Sequence, residues 1–193
     1  MSRVTIPVPE IPYKCIVADP PWTYANRWVT SPTRTFEGRT GAAAHYPTLT
    51  LDEVKGVNIS EIVDHEGSVL FLWATMPLLK DALSVMDCWG YTYKTSLCWT
   101  KTRWLGMGKW FRTNTELCLV GILGKVRAFN SQKSNVIFAQ PSRHSRKPPE
   151  FFDLIDPIIR HYDLVPCIEL FAREKRPQWT SWGNETELGE HND

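Results

Sequence analysis

Apolar residues along the chain occur in short runs bounded by glycine, proline and polar clusters. The run at 15–18 contains only small or β-branched apolar residues and shows no polar alternation, which is typical of a strand buried on both faces. Further segments of strand character follow at 68–73, 91–100, 115–123, 135–139 and 167–172, of which 135–139 is expected to be a short edge strand. The pattern predicts one sheet built from several short strands.

Helix signals lie between these runs. Thr50 and Glu53 have the spacing of a capping box, which predicts a short helix that ends near Gly56. Pro77 suits the first turn of a second helix, which runs to about Cys88.

A third helix is predicted from about Pro148. Its apolar side chains are expected to face inward: Phe151, Phe152, Leu154, Ile155, Ile158 and Ile159. Pro157 is expected to kink this helix or to mark its end. The strand, helix and strand over 68–100 form a βαβ unit, which is typical of an α/β fold. The length suits a single domain, residues 1–193.

The strand at 15–18 is followed by Asp19-Pro20-Pro21-Trp22. Ligands of open α/β sheets bind beyond the carboxyl ends of the strands, so Asp19 lies where such folds carry out chemistry. The prolines fix the backbone and are expected to keep their carbonyls free as hydrogen-bond acceptors. A carboxylate, carbonyl oxygens and the indole of Trp22 together suit the exocyclic amino group of a nucleobase. The alternative is an ordinary Asp-Pro turn with a capping aspartate.

Basic residues are concentrated in one part of the chain, although the net charge is only +1. Between Cys88 and Pro149 there are eleven Lys or Arg and a single acid, Glu116. Such a segment is the electrostatic footprint of a polyanion partner. Aromatic residues interleaved with these charges are expected to stack on unpaired bases: Trp99, Trp104, Trp110 and Phe129. The alternative is an ordinary solvated surface.

Several classes of protein are excluded by the composition. The five cysteines are scattered and do not have the spacing of zinc ligands. We therefore expect no structural metal site and free cysteines in a reducing compartment. The glycines around Lys125 lack the spacing of a P-loop. No signal peptide or membrane-length apolar segment is present, so the protein is expected to be cytoplasmic without a membrane partner.

The span from about 23 to 48 has no sustained apolar period. Loops of this length are usually lids or binding loops, so we expect a lid over the site. Its arginines are expected to meet phosphates or, equally, solvent: Arg27, Arg34 and Arg39.

Further motifs follow the tetrapeptide in the order of a known family. They are His45-Tyr46-Pro47-Thr48, Leu70-Phe71-Leu72-Trp73-Ala74-Thr75, Lys94-Thr95-Ser96-Leu97-Cys98-Trp99, His144-Ser145-Arg146-Lys147-Pro148, Glu169-Leu170-Phe171-Ala172-Arg173 and Trp182-Gly183-Asn184-Glu185. The chain thus resembles the DPPW-type adenine-N6 methyltransferases, relatives of the S-adenosylmethionine-binding subunit of messenger-RNA adenosine methyltransferase. The resemblance implies a Rossmann-like α/β methyltransferase fold, a mostly parallel sheet with helices on both faces.

The resemblance also implies a set of site residues. The catalytic group would be Asp19, Pro20, Pro21 and Trp22. S-adenosylmethionine would be held by Lys147 at its carboxylate, by Phe171 at its adenine, and by Arg173, Asn184 and Glu185 at its ribose or base. The sequence departs from the family at Asn114-Thr115-Glu116, where a His-Glu pair is common.

The reaction implied is methyl transfer to the exocyclic N6 of adenine, which requires the base to be flipped out or single-stranded. DNA is favoured over RNA because the chain is compact and resembles bacterial and phage enzymes. The rivals are RNA adenosine, an amide or cytosine-N4 methyltransferase, and a catalytically inactive nucleic-acid-binding subunit. The sequence shows no appended helix-turn-helix or zinc finger that would read base edges. We therefore expect a short recognition sequence or relaxed specificity, unless a homodimer adds contact surface.

Overall fold

The computed structural model of the protein describes residues 5–23, 48–103, 105–106, 110–141 and 146–183. The strands within these residues are β1 (Cys15–Ala18), β2 (Gly67–Thr75), β3 (Thr92–Lys101), β4 (Thr115–Gly124), β5 (Val136–Ala139), β6 (Cys167–Leu170) and β7 (Thr180–Trp182). The α-helices are α1 (Leu51–Lys55), α2 (Leu79–Cys88) and α3 (Pro149–His161). Single 3₁₀ turns cover Ile59–Glu61 and Met76–Leu78.

These strands form one sheet in the order β5-β3-β4-β2-β1-β6-β7. The parallel pairs are β1 with β2, β1 with β6, β6 with β7, and β3 with β5. Among the strands described, only β4 runs against its neighbours, and it lies between β2 and β3. The expected mostly parallel sheet is confirmed.

Helices cover both faces of the sheet, because successive strand residues point to opposite sides. In β1, Ile16 and Ala18 pack into the core that contains residues of α1 and α2. Cys15 and Val17 pack into the core on the α3 side. The α3 side chains buried there are Phe151, Phe152, Ile155 and Ile159. Burial of each such side chain contributes about 1.5–3 kcal/mol, so the apolar stripe of α3 holds the helix on the sheet.

The predicted capping box at the start of α1 is confirmed. The Thr50 side chain accepts a hydrogen bond from the Glu53 N–H at 3.3 Å, and the Thr50 N–H donates to the Glu53 carboxylate at 2.8 Å. Gly56 is the C-cap, as expected. Two backbone N–H groups at the helix start are thereby satisfied by side-chain oxygens of the same turn.

Of the two effects predicted for Pro157, a kink or the end of the helix, the second is wrong, since α3 continues to His161. Proline removes one N–H from the helix, and the exposed Pro157 ring lies on the solvent side. Ile155 and Ile159, which flank it in sequence, are buried against the sheet. Their packing holds the last turn in place.

The sheet differs from the sequence expectations in three respects. β4 separates the two strands of the predicted βαβ unit, although β2 and β3 remain parallel to each other. β6 ends at Leu170 rather than at Ala172, and Phe171 turns the chain with a φ of +60°. β7 was not predicted, and it extends the sheet beyond β6.

Most of the predicted lid, including Arg27, Arg34 and Arg39, lies outside the described residues. Within the described part of the chain, no helix is both long enough and apolar enough to cross a membrane.

Candidate active site

The carboxyl ends of β1 and β6 bring the two ends of the predicted site together. Ala18 is the register partner of Leu170, and the Asp19 N–H donates to the Leu170 carbonyl at 3.4 Å. Asp19 and Phe171 therefore follow neighbouring parallel strands at the same edge of the sheet. This is the edge at which open α/β folds bind their ligands.

Lys147 joins Asp19 to a second carboxylate. Its ammonium lies 2.8 Å from Oδ1 of Asp19 and 3.2 Å from Oε2 of Glu116. Glu116 in turn forms an ion pair with Lys101. We call Asp19, Lys147, Glu116 and Lys101 the charged cluster.

The charged cluster is assembled by the reversed direction of β4. Lys101 is the last residue of β3 and Glu116 is the second residue of β4. Because β4 is antiparallel, it begins at the edge where β1, β2 and β3 end. Lys147 reaches the same edge from the segment just before α3.

Two buried indoles form the floor beneath the cluster. The Lys147 ammonium lies 5.3 Å from the centre of the Trp73 ring, and the Lys101 ammonium lies 4.8 Å from that of Trp99. The two rings meet edge to face at 6.3 Å. Ring faces are electrostatically negative, so they favour the cations while excluding water from one side.

Burial and ion pairing shift the pKa values of Lys147 and Glu116 in opposite directions. Burial alone would lower the pKa of Lys147, but the carboxylates of Asp19 and Glu116 outweigh it and raise the pKa above its ordinary value. Burial would raise the pKa of Glu116, but Lys147 and Lys101 outweigh it and hold the pKa below its ordinary value. Lys147 is therefore a cation and Glu116 an anion at neutral pH.

The carbonyls of the two prolines are not free, contrary to expectation. The Pro20 carbonyl accepts from the Trp22 N–H at 2.8 Å, and the Pro21 carbonyl accepts from the Leu49 N–H at 2.9 Å. The first bond closes a turn within the tetrapeptide, and the second ties the proline segment to the chain before α1. Each oxygen keeps a second lone pair, so the prolines still offer acceptors, although fewer than predicted.

Trp22 lies in the core rather than with its ring face open to solvent. Its side chain is 8% exposed, and its Nε1–H donates to the Trp73 carbonyl at 3.0 Å. In this arrangement the indole fixes the tetrapeptide against β2. Stacking of Trp22 on a base stays a prediction.

Phe171 lies beside Trp182 of β7, with ring centres 5.7 Å apart. The Ala172 N–H donates to the Trp182 carbonyl at 3.0 Å. A Cβ on Gly183 would lie 2.5 Å from the Ala172 carbonyl oxygen, so glycine is required for this close approach. The segment that leads into Asn184 is thereby held against the segment that follows β6.

Of the remaining residues predicted to bind the cofactor, the structure describes Arg173 alone. Arg173 is half-buried and follows Phe171 by two residues. Arg146 and Glu174 form an ion pair at 2.9 Å, which links the segment before α3 to the residue after Arg173. Asn184 and Glu185 lie outside the described residues.

Glu169 is a functional candidate that the sequence reasoning missed. It lies in β6 on the α3 side, and its Oε2 is buried without a hydrogen-bond partner. Burial raises the pKa of Glu169 to about 7; Arg176 opposes this shift, while the charges of Asp19 and Glu174 add to it. Its signal in the sequence was an acid inside an otherwise apolar strand.

Glu116 and Lys101 were also given no role from the sequence. The signal for Glu116 was its position as the single acid in the basic segment. Its partners could not be identified from that signal, since they depend on the direction of β4.

The basic segment does not form one surface. Lys94 lies near the start of β3 and Lys125 follows β4, at the end of these strands opposite the charged cluster. Arg103 and Arg112 are exposed at the cluster end. The footprint predicted from composition is therefore divided between two ends of the sheet.

The predicted aromatic faces also differ in exposure. Trp99 is buried, and its Nε1–H donates to the Ala139 carbonyl at 3.1 Å, so its predicted stacking on bases is wrong. Phe129 is half-buried and packs on Tyr162. Trp104 lies outside the described residues. Of these four, Trp110 is described with its ring in solvent.

Comparison with protein families gives a match over most of the chain. The family model described as MT-A70 matches residues 13–185.

Individual relatives match at similar identity but over different shares of their length. The type II methyltransferase M.MunI of Mycoplasma sp. is 29% identical over 197 residues, which cover 96% of this chain and 82% of that protein. The N(6)-adenosine-methyltransferase catalytic subunit METTL3 of Homo sapiens is 30% identical over 183 residues, which cover 90% of this chain and 28% of that protein. An MT-A70-like N(6)-adenosine-methyltransferase of Arabidopsis thaliana is 27% identical over 88% of this chain and 23% of its own length.

Proposed function

The chain belongs to the MT-A70 family of N6-adenine methyltransferases, and we propose that it transfers a methyl group from S-adenosylmethionine to the exocyclic N6 of adenine in DNA. The observation that carries this proposal is the ion pair between Asp19 and Lys147 at the carboxyl edge of β1. It joins the residue proposed to hold the target amine to a residue proposed to hold the cofactor.

The described residues fit the groups of S-adenosylmethionine. Lys147 is a cation suited to the carboxylate of the methionine part. Oε2 of Glu169 accepts no hydrogen bond from the described residues and lies 3.8 Å from Nε of Arg176, so it is an acceptor suited to the ammonium of the methionine part. Phe171 and Trp182 supply an aromatic pair beside which an adenine ring fits. When bound, the cofactor supplies a methyl group on a sulfonium, which is a good leaving group.

The Lys147 ammonium has enough donors to act on both reactants. It carries three N–H groups, and Asp19 and Glu116 account for two of them among the described residues. One donor is then available for the cofactor carboxylate. Lys147 would thus fix the distance between the acid and the cofactor, and such positioning is a large part of catalysis when two reactants must meet.

Asp19 acts on the target amine. Oδ1 is engaged by Lys147, so Oδ2 is the oxygen that accepts an N–H of the adenine amine. This hydrogen bond directs the nitrogen lone pair away from the ring and toward the methyl carbon. The bound cofactor would supply the methyl group and keep the electron pair of the broken C–S bond on sulfur, while Asp19 or water would accept the surplus proton that leaves the nitrogen.

DNA is supported as the substrate by the match to M.MunI, because this chain spans 82% of that type II methyltransferase. RNA adenosine is the second candidate, and it is supported by the match to METTL3, of which the chain spans 28%. An inactive nucleic-acid-binding subunit is less favoured, because Asp19 and Lys147 are both present and paired. A homodimer and a cytoplasmic location stay predictions.

The direct test is an assay with S-adenosylmethionine that carries a labelled methyl group. The protein is incubated separately with unmethylated DNA and with RNA, and each product is digested to nucleosides. The proposal predicts label on N6-methyldeoxyadenosine from DNA. Label on N6-methyladenosine from RNA alone would assign the second substrate, and label on cytosine or on no nucleoside would contradict the proposal.

A further inference from the structure

The connection between β3 and β4 extends directly from the charged cluster. The Lys101 N–H donates to the Asn114 carbonyl at 2.7 Å, and the Gly106 N–H donates to the Thr113 carbonyl at 2.8 Å. Two backbone hydrogen bonds therefore join the two arms of this connection, which we call the hairpin. Since Lys101 belongs to the cluster and Glu116 follows two residues after Asn114, the hairpin rises beside the proposed active site.

Two neighbouring aromatic residues on this hairpin are almost fully in solvent. Trp110 is 83% exposed and Phe111 is 90% exposed. Large rings gain most from burial, so an adjacent exposed pair is a surface that favours a partner.

The arm that carries the two rings is held by defined contacts. Arg112, the next residue, donates from Nε to the Gly106 carbonyl at 3.0 Å and from Nη2 to the Leu105 carbonyl at 3.4 Å. These bonds join the two arms beside the rings. The two rings therefore lie on a segment of chain that side-chain hydrogen bonds hold in place.

The charge around the rings selects a polyanion as the partner. Residues 101–115 contain Lys101, Arg103, Lys109 and Arg112, and no acid. Arg103 and Arg112 are exposed. A wholly apolar protein partner would gain nothing from these cations, whereas a phosphate backbone would be attracted to them and its bases would meet the rings.

We propose that Trp110 and Phe111 form a wedge that enters the duplex and fills the space left in the base stack when the target adenine is extruded. The proposal rests on the proposed action on duplex DNA, and it assigns the stacking surface to these two rings rather than to the buried Trp99. Apolar side chains that enter a base step offset the cost of unstacking, which would otherwise oppose extrusion.

The first experiment measures binding without catalysis. The probe is a short fluorescein-labelled DNA duplex, either intact or with one abasic site, and binding is followed by fluorescence anisotropy. An abasic site offers the gap that the wedge fills, so the wild-type protein is expected to bind this duplex about tenfold more tightly, which corresponds to about 1.4 kcal/mol. The double variant Trp110→Ala, Phe111→Ala is expected to lose this preference.

The matched control is Tyr93→Ala. Tyr93 is an exposed aromatic near the start of β3, at the end of the strand opposite the hairpin. This variant should keep the wild-type preference. Equal affinity of the wild-type protein for the two duplexes, or an unchanged preference in the double variant, would overturn the proposal.

The second experiment separates the wedge from the proposed function. Methyl transfer is compared on the same DNA before and after heat denaturation, because a single strand needs no wedge. The double variant should lose about tenfold in rate on the duplex and keep its rate on the denatured strand. Equal losses on both substrates would overturn the wedge. If the wild-type protein methylates no DNA, the proposed function fails and the abasic-site measurement still decides the wedge.

Sedimentation of the free protein tests whether a second copy of the chain, rather than DNA, covers Trp110 and Phe111. A wild-type dimer that becomes monomeric in the double variant would assign the rings to a second copy of the chain, and would contradict the wedge. Unchanged sedimentation is the expected result.

Discussion

Lys147 holds its ammonium 2.8 Å from the carboxylate of Asp19, although the two residues lie in distant parts of the chain. The same ammonium lies 3.2 Å from Glu116, so one cation links two acids over the ring of Trp73. The acid that follows β1 is thus fixed by a residue that precedes α3. In the proposed reaction this ion pair sets where the target amine and the cofactor carboxylate lie.

Removing the cation of the cluster should destabilise the protein. In Lys147→Ala the carboxylates of Asp19 and Glu116 lose their shared partner, and an uncompensated buried charge is costly. We expect a loss of about 3–5 kcal/mol in the free energy of unfolding at neutral pH, measured by urea denaturation. Lys94→Ala, at an exposed site near the start of β3, is the control. Equal stability of the two variants would contradict the structural role of Lys147.

Glu116 should contribute stability that depends on pH. Its pKa in the folded protein lies below the ordinary value of 4.5, so it contributes fully above 4.5 and loses that contribution as the pH falls through the folded-state pKa. Glu116→Gln should therefore be less stable than the wild-type protein at neutral pH, and the difference should shrink in acid. A difference that stays constant across this range, in urea denaturation, would show that the charge of Glu116 is not the cause.

Glu169 should have the opposite pH dependence. Its pKa is raised from 4.5 to about 7, mainly by burial, so the folded protein holds a proton that the unfolded chain releases between these values. Stability therefore falls as the pH rises from 4.5 to about 7. Glu169→Gln should remove this fall and be more stable than the wild-type protein above pH 7, by about 1–3 kcal/mol.

Glu150→Gln is the control for Glu169, because Glu150 is an exposed carboxylate in the first turn of α3 and, unlike Glu174, is not among the charges that raise the pKa of Glu169. It should keep the wild-type pH profile. The raised pKa of Glu169 would be refuted by a Glu169→Gln profile that coincides with that of the wild-type protein.

Gly183 should tolerate no side chain. A Cβ there would lie 2.5 Å from the Ala172 carbonyl oxygen, and backbone contacts of this kind can be relieved only by moving β7 or the segment after β6. Gly183→Ala should cost about 1–3 kcal/mol in stability and weaken binding of S-adenosylmethionine, measured by calorimetry. Ser181→Ala, in the strand that ends just before Gly183, removes a buried hydroxyl without a hydrogen-bond partner and should be neutral. Unchanged cofactor binding in Gly183→Ala would show that the packing of Gly183 against Ala172 does not position the cofactor site.

The elements of the fold were largely predictable because their signals are local. The apolar run that forms β1, the capping box at Thr50 and the helix that ends at Cys88 all depend on residues a few positions apart. The end of α3 was mispredicted because tertiary packing of Ile155 and Ile159 outweighs the local effect of Pro157.

The contacts of the candidate site were less predictable because they depend on strand direction. Asp19 and Lys147 were both predicted site residues, but their ion pair follows from the arrangement of the sheet edge. Glu116 reaches that edge only because β4 is antiparallel, and no local pattern specifies this. Trp99 and Trp110 look alike in a basic segment. Their burial differs because Trp99 lies on the core side of β3, whereas Trp110 lies on the hairpin beyond it.

The role of Asp19 is tested most directly by Asp19→Asn, which keeps the size of the side chain and removes its charge. Single-turnover methyl transfer to DNA and the dissociation constant of S-adenosylmethionine are measured on the same preparation, with Asp87→Asn on the exposed surface of α2 as the control. We predict that Asp19→Asn lowers the transfer rate by about 10²- to 10⁴-fold while the cofactor still binds, and that the control behaves as the wild-type protein. Wild-type transfer by Asp19→Asn would contradict the role given to this carboxylate.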